Sequence, residues 1–219
     1  MVLPAQEFDR ITQDISSRLR ADGISAKPFG AKRLLPDLPL SAQQRIVGRV
    51  RTQLELMERM RPNCEEHEKL SVICRYYGLR PVDDDVYNRI TDEIAWEVID
   101  FELNQLYRNV RVFECISYSI EECEAFTPWE LYSRPRQVLE TLAEVTRELA
   151  HTRGIIDLEW ISPYVMVEAY SPDKGQLEIR HLFACPLMDR TTKENLAFVS
   201  AFSLRRLPDD QKVVLLDEA

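Results

Sequence analysis

His181 and Cys185 lie four residues apart in the largely apolar run from Leu177 to Leu187. Side chains an even number of residues apart on a strand point to the same face. As a strand, this run would set His181 and Cys185 beside Leu177, Ile179, Phe183 and Leu187. An imidazole on an apolar sheet face can ligate a haem iron or another metal. The plainer role is a core histidine hydrogen-bonded to a neighbour. Aromatic residues gather in the same part of the chain: Trp129, Tyr132, Trp160, Tyr164 and Tyr170. Such side chains line ligand pockets, and they also fill cores. The candidate pocket residues are therefore Trp129, Tyr164, His181, Phe183 and Cys185.

Other chemistry-bearing groups are sparser. Cys64, His67 and Cys74 fall within one expected helix and its cap, but a zinc site wants four ligands in paired short spacings. Only Cys64 and His67 are that close; Cys115 and Cys123 would have to supply the rest. Glu93, Glu97 and Asp100 stand at i, i+4 and i+7, where inward carboxylates on helices can hold two metals. The matching Glu-x-x-His motif is missing, so these residues are expected to be solvated surface. None of the six glycines precedes the Lys-Ser or Lys-Thr of a phosphate-cradling loop, and there is no Gly-x-Ser-x-Gly elbow. The three histidines, at 67, 151 and 181, define no catalytic pair by spacing. No residue is assigned a catalytic role.

The 219 residues carry a net charge of −9. Such a surface repels phosphate backbones and argues against general nucleic-acid binding. Residues 1–50 hold eight Lys or Arg against five Asp or Glu, a balance of +3 that leaves −12 for the remainder. A hydrophobic content of 45% can fill a core. No apolar run reaches the ~20 residues of a membrane helix, and the first residues lack the basic-then-apolar pattern of a secretory signal. Five scattered cysteines do not suggest a disulfide framework. A reducing cytoplasm is the expected compartment.

The elements that must position the candidate residues follow from periodicity. Phe8, Ile11, Ile15 and Leu19 form one helical stripe ending near Asp22-Gly23. Residues 24–40, with Pro28, Gly30, Pro36 and Pro39, read as a linker laid over a surface. Ser41 and Gln44 suit a capping box for a helix bearing Ile46, Val50, Leu54 and Met57. A third helix is expected from about Cys64 to Tyr77, with Gly78 as its left-handed stop. A fourth, over 84–108, would bury Val86, Ile90, Ile94, Val98 and Phe101. The β-prone residues of 111–120 suggest a strand. Thr127-Pro128-Trp129-Glu130 places a cap, a first-position proline and a third-position glutamate for a short helix. A longer helix should follow from Arg136 to His151, stopped by Gly154. Three alternating runs, 164–171, 177–187 and 195–207, then read as strands, the first two joined by Pro172-Asp173-Lys174-Gly175. Beyond Pro208 the tail is acidic with a short apolar core.

Strand, short capped helix at Thr127-Pro128-Trp129-Glu130-Leu131, longer helix, then three long closing strands: this order resembles the PAS family of sensory domains. The family opens with two strands, where this sequence offers one, near 111–120. The resemblance implies a sheet whose inner face and covering helices enclose a ligand or a plain core. It also implies flanking helices that dimerise or transmit a signal. The cysteine-bearing motif of flavin-binding light sensors is absent, so flavin photochemistry is not implied.

The expected fold is α+β: a leading helix and linker (1–40), a helical region (41–109), an antiparallel sheet covered by helices (110–207) and an acidic tail (208–219). The expected function is that of a non-catalytic cytoplasmic regulatory or adaptor protein. Its sheet domain would bind a small ligand or a protein partner, and its helices would self-associate. No cofactor is required, although a haem or another small ligand would suit His181. The alternatives are an enzyme with a site assembled from distant residues and a self-assembling structural protein. An open pocket with convergent polar groups would favour the enzyme; a filled core with an exposed apolar patch would favour the adaptor.

Overall fold

The computed structural model describes residues 3–21, 34–61, 64–171 and 174–211. Helix α1 (Pro4–Ala21) carries the expected stripe. Its Phe8, Ile11, Ile15 and Leu19 are buried against Leu35 and against Ile46, Val47 and Val50 of α2 (Leu40–Arg59). Helix α2 starts at Leu40, with Pro39 in the cap position, and no side chain caps it. The expected Ser41–Gln44 box does not form. Pro28 and Gly30 of the expected linker lie outside the described residues. Its end is packed rather than laid over a surface: Leu35 is fully buried, and the Leu34 and Leu35 amides donate to Glu121 Oε1 at 2.9 and 2.7 Å.

Helix α3 (Glu66–Tyr76) is followed by Gly78 at φ +70°, the left-handed geometry glycine tolerates. Next come β1 (Leu79–Pro81), the single turn α4 (Val86–Arg89), and a hairpin of β2 (Ala95–Asp100) and β3 (Gln105–Arg108). The single helix expected over 84–108 is therefore replaced by a turn and two strands. A spacing of four fits a helix, but it is also even and fits a strand. Strand β2 is covered on both faces, which erases the alternation that would have revealed it. The hairpin turn is organised by Asp100, whose Oδ1 accepts from the amides of Glu102 and Asn104, while Leu103 takes φ 65°.

The strand expected over 111–120 is absent. Short helices α5 (Val110–Cys115) and α6 (Ile120–Ala125) occupy that segment. Ser119 and Glu122 form a reciprocal capping box that starts α6, a local signal that outweighs β propensity. Helix α7 (Pro128–Leu131) opens with Thr127 as its cap, as expected. Then follow β4 (Tyr132–Ser133), α8 (Arg136–Leu149), β5 (Ile156–Asp157), β6 (Tyr164–Glu168), β7 (Gln176–Asp189) and β8 (Asn195–Arg206). Helix α8 ends at Leu149 with Ala150 as its C-cap, ahead of Gly154. Pro172 and Asp173, in the expected turn before β7, lie outside the described residues, as does the tail beyond Gln211.

The strands form one antiparallel sheet of order β3-β2-β8-β7-β6-β4. Strand β7 is its spine. One edge pairs along its length with β8, and the other pairs in turn with β6, β5 and β1. Because β1, β2 and β3 belong to this sheet, the region expected to be wholly helical before residue 110 supplies three of its strands. Helices α3 and α4 cover one face, over Trp96, Val98, Phe183, Cys185, Leu187 and Val199. The other face lies under α5, α7 and α8.

Register in the β7–β8 pair slips between His181 and Phe183, which oppose Phe202 and Ala201. Leu182 is the extra residue of a β-bulge. Even-numbered alternation therefore breaks inside β7. Leu177, Ile179 and His181 face the α8 side, whereas Phe183, Cys185 and Leu187 face the α3 side.

Glu168 ties the end of β6 to the segment before α6. It is fully buried. It accepts from the Ser117 amide at 2.6 Å and from the Ser117 hydroxyl, and pairs with Arg206 at 3.3 Å. Glu168→Gln would turn an amide N–H toward these donors. The expected loss is about 1–3 kcal/mol in urea unfolding; a midpoint unchanged from wild type would show that the cluster does not hold this end of the sheet.

Candidate functional site

A cavity lies between the α8-side face of the sheet and the covering helices. Its floor follows one row across four strands. Arg108 of β3 opposes Glu97 of β2, Glu97 opposes Ser200 of β8, and Ser200 opposes Ala184 of β7. The two small side chains at the sheet centre leave room that larger residues would fill. Val145, Leu149 and Leu142 of α8 form the roof, and Ile99, Phe198 and Leu158 add apolar wall. The space open to the centre of a water molecule is about 80 Å³. At roughly 10–15 Å³ per water in that measure, it spans several water positions.

One side of this apolar chamber is polar. His181 is 6% exposed, and its Nε2 sits 3.0 Å from the Tyr164 hydroxyl. When the tyrosine O–H donates to Nε2, a neutral ring carries its hydrogen on Nδ1. Nδ1 is buried and has no hydrogen-bond partner. Burial, then the nearby Arg134, pulls the imidazole down to about 4, so the ring is neutral at physiological pH. Burial raises the Tyr164 phenol, with Arg134 opposing.

Arg108 is also 6% exposed. Its Nε and Nη1 are buried and hydrogen-bonded to nothing among the described residues. Glu97 is its nearest counter-charge, at 3.9 Å from Nε, an ion-pair distance beyond hydrogen-bond reach. Burial raises the Glu97 carboxyl, against the pull of Arg108, Arg134 and the Gln105 amide that donates to it at 2.5 Å. Arg134 completes the group. Its guanidinium lies 5.3 Å from the centre of the Trp129 ring and 5.2 Å from that of Tyr132, and it donates to the carbonyls of Pro128 and Tyr132. The chamber thus holds two permanent cations, one carboxyl group and a neutral histidine.

Of the five residues nominated from sequence, Trp129, Tyr164 and His181 line this cavity. Phe183 and Cys185 do not; the bulge at Leu182 turns them into the core beneath α3. Trp160 is 64% exposed and Tyr170 51% exposed, and neither lines it. Glu97, expected as solvated helix surface, is instead a strand residue of the cavity floor. Glu93 is exposed in the turn before β2, and Asp100 caps the hairpin. Cys64 and His67 share a shallow cleft with Arg59, Arg61 and Arg75. Cys74 is buried in the α3-side core. Among the described residues no three His, Cys, Asp or Glu side chains gather closely enough to hold a metal ion.

Sequence reasoning missed Arg108, Arg134, Ser200 and the cavity role of Glu97. The one available signal was Arg108, a lone cation after Leu106 and Tyr107, and it speaks only once the segment is recognised as a strand.

No described helix is long and apolar enough to cross a membrane. The chain matches no protein-family model and no curated protein.

Proposed function

We propose that the chain is a non-catalytic regulatory protein whose sheet domain binds a small organic ligand in the cavity beneath α8. The observation that carries this reading is a buried chamber with apolar walls and unmet polar atoms on Arg108 and His181. Buried donors are normally satisfied, and a bound ligand would satisfy these. Two opening strands, a helical crossing that includes the Thr127-capped turn, and three closing strands in one sheet support the resemblance to PAS sensory domains. The cytoplasm, as the place of such a regulator, belongs to the same proposal.

Convergent polar groups also favour an enzyme, and Glu97, Arg108, Arg134 and His181 converge here. A general base works best with a pKa near the operating pH, and His181 at about 4 is far below it. Cys123, beside Arg108, is pushed up by burial to about 11 and remains a thiol. Binding is therefore the better supported role. Docking of a protein partner or a second copy has less behind it. The apolar faces of α1 and α2 are spent on each other, and the exposed large apolar residues Leu3, Leu40, Leu139, Trp160, Tyr170 and Leu196 sit on separate elements.

Ser200→Leu would fill the cavity floor. A thermal-shift screen of small aromatic and aliphatic compounds is expected to find binders of the wild type that this variant loses. If no compound distinguishes the two proteins, the pocket reading fails.

A further inference from the structure

We infer that the ligand is a compact organic carboxylate, its charged end held by Arg108 and its apolar body seated beneath α8. The inference rests on the ligand-binding reading above and narrows it to one chemistry. Nε and Nη1 of Arg108 are both buried and unpartnered, on opposite sides of a permanently charged guanidinium. Each offers an N–H to which a carboxylate oxygen can bind in a charge-assisted hydrogen bond. Glu97 does not fill the role: it stands 3.9 Å from Nε and is engaged by Gln105. A buried guanidinium with unmet donors carries a desolvation cost that an incoming anion would remove.

The rest of the chamber selects among anions. Arg134 adds a second positive charge on the polar side, and the N–H that His181 carries on Nδ1 offers another donor. Helix α8 and Phe198 supply a greasy surface that a fully hydrated inorganic ion cannot use but a hydrocarbon body can. The volume suits a single ring or a short branched chain rather than a macrocycle.

Phenylacetate, its neutral isostere phenylacetamide and inorganic phosphate serve as probes, with the full chain and isothermal titration. Phenylacetate is expected to bind roughly tenfold or more tightly than the amide, the ratio of a charge-assisted pair to a neutral one. Arg108→Met is expected to remove that preference while leaving the amide's weak binding within about threefold. Should Arg108→Met fail to fold, the wild type still decides. Phenylacetate, and not phenylacetamide, should shift one arginine Nε–H resonance downfield. Equal binding of acid and amide, an unmoved Nε–H signal, or displacement of phenylacetate by phosphate would overturn the carboxylate assignment and leave the pocket standing. Binding of none of the three probes would overturn the assignment too. The pocket itself falls only if the wider screen against Ser200→Leu also finds nothing.

Discussion

Trp96→Ala is expected to lower the unfolding free energy by about 3–5 kcal/mol, the cost of emptying a large aromatic site in a packed core. Trp96 is fully exposed to protein and not at all to water, and its ring packs 4.9 Å from that of Tyr107. Polar ties raise the stakes. The indole N–H donates to Glu66 at 2.6 Å, and Glu66, in the first turn of α3, is 3% exposed. Asn109 binds the same carboxylate at 3.3 Å, accepts from the Trp96 amide and donates to the Ile94 carbonyl. One side chain thus joins α3, β2 and the start of α5. Trp96→Phe keeps most of the volume but takes one donor from Glu66, and should cost about 1–3 kcal/mol. Urea unfolding followed by circular dichroism should rank wild type above phenylalanine and phenylalanine above alanine. An alanine variant as stable as the phenylalanine one would remove packing as the main cause.

Two buried groups should contribute opposing slopes to the pH dependence of stability between about pH 4.5 and 6.5. Glu124, which accepts from Gln53 of α2 at 2.5 Å, is pushed up to about 7 by burial, with Arg108 and Arg49 opposing. Its folded-state value exceeds its unfolded one of 4.5. The unfolded chain therefore loses this proton first, and stability present in full below about pH 4.5 drains away as the pH rises to about 7. His181 works in the opposite direction. It is pulled from 6.5 to about 4, so the unfolded chain gains this proton first. Its stability is complete above about pH 6.5 and is lost as the pH falls to about 4. Each shift spans two to three pH units, worth about 3 kcal/mol. Glu124→Gln should unmask a rise in stability from pH 4 to 6.5, and His181→Asn a fall from pH 4.5 to 7. Urea midpoints taken relative to wild type at each pH isolate these slopes from the other carboxylates. Parallel profiles for all three proteins would refute the pair of assignments.

How legible the fold was in the sequence depended on whether a segment's neighbours agreed with its local pattern. The closing strands were readable because Tyr164–Glu168 buries alternate residues, and Thr127-Pro128 fixed a helix start by chemistry confined to four residues. The β2–β3 hairpin was not readable. Trp96 and Val98 bury on one face and Ala95 and Ile99 on the other, so tertiary covering on both sides removed the period. Residues 111–120 misled for the opposite reason, since Val112 and Ile116 have strand propensity yet are buried as parts of helical turns and their connections. The candidate site was half visible. Tyr164 and His181 lie before the bulge, where alternation still holds; Phe183 and Cys185 lie beyond it. Nothing in Leu182 itself marks a slip, because it is one more apolar residue leading into the buried run from Phe183 to Met188. Arg108 stayed hidden because its meaning depends on a hairpin that had not been recognised.

The bulge also divides β7 into two inheritances. Ile179 and His181 before it line the chamber, while Phe183, Cys185 and Leu187 beyond it pack under α3. A substitution at Ile179 or His181 therefore alters the chamber wall and leaves the cluster beneath α3 in place. One strand thus serves two separate cores, exchanged at a single inserted residue.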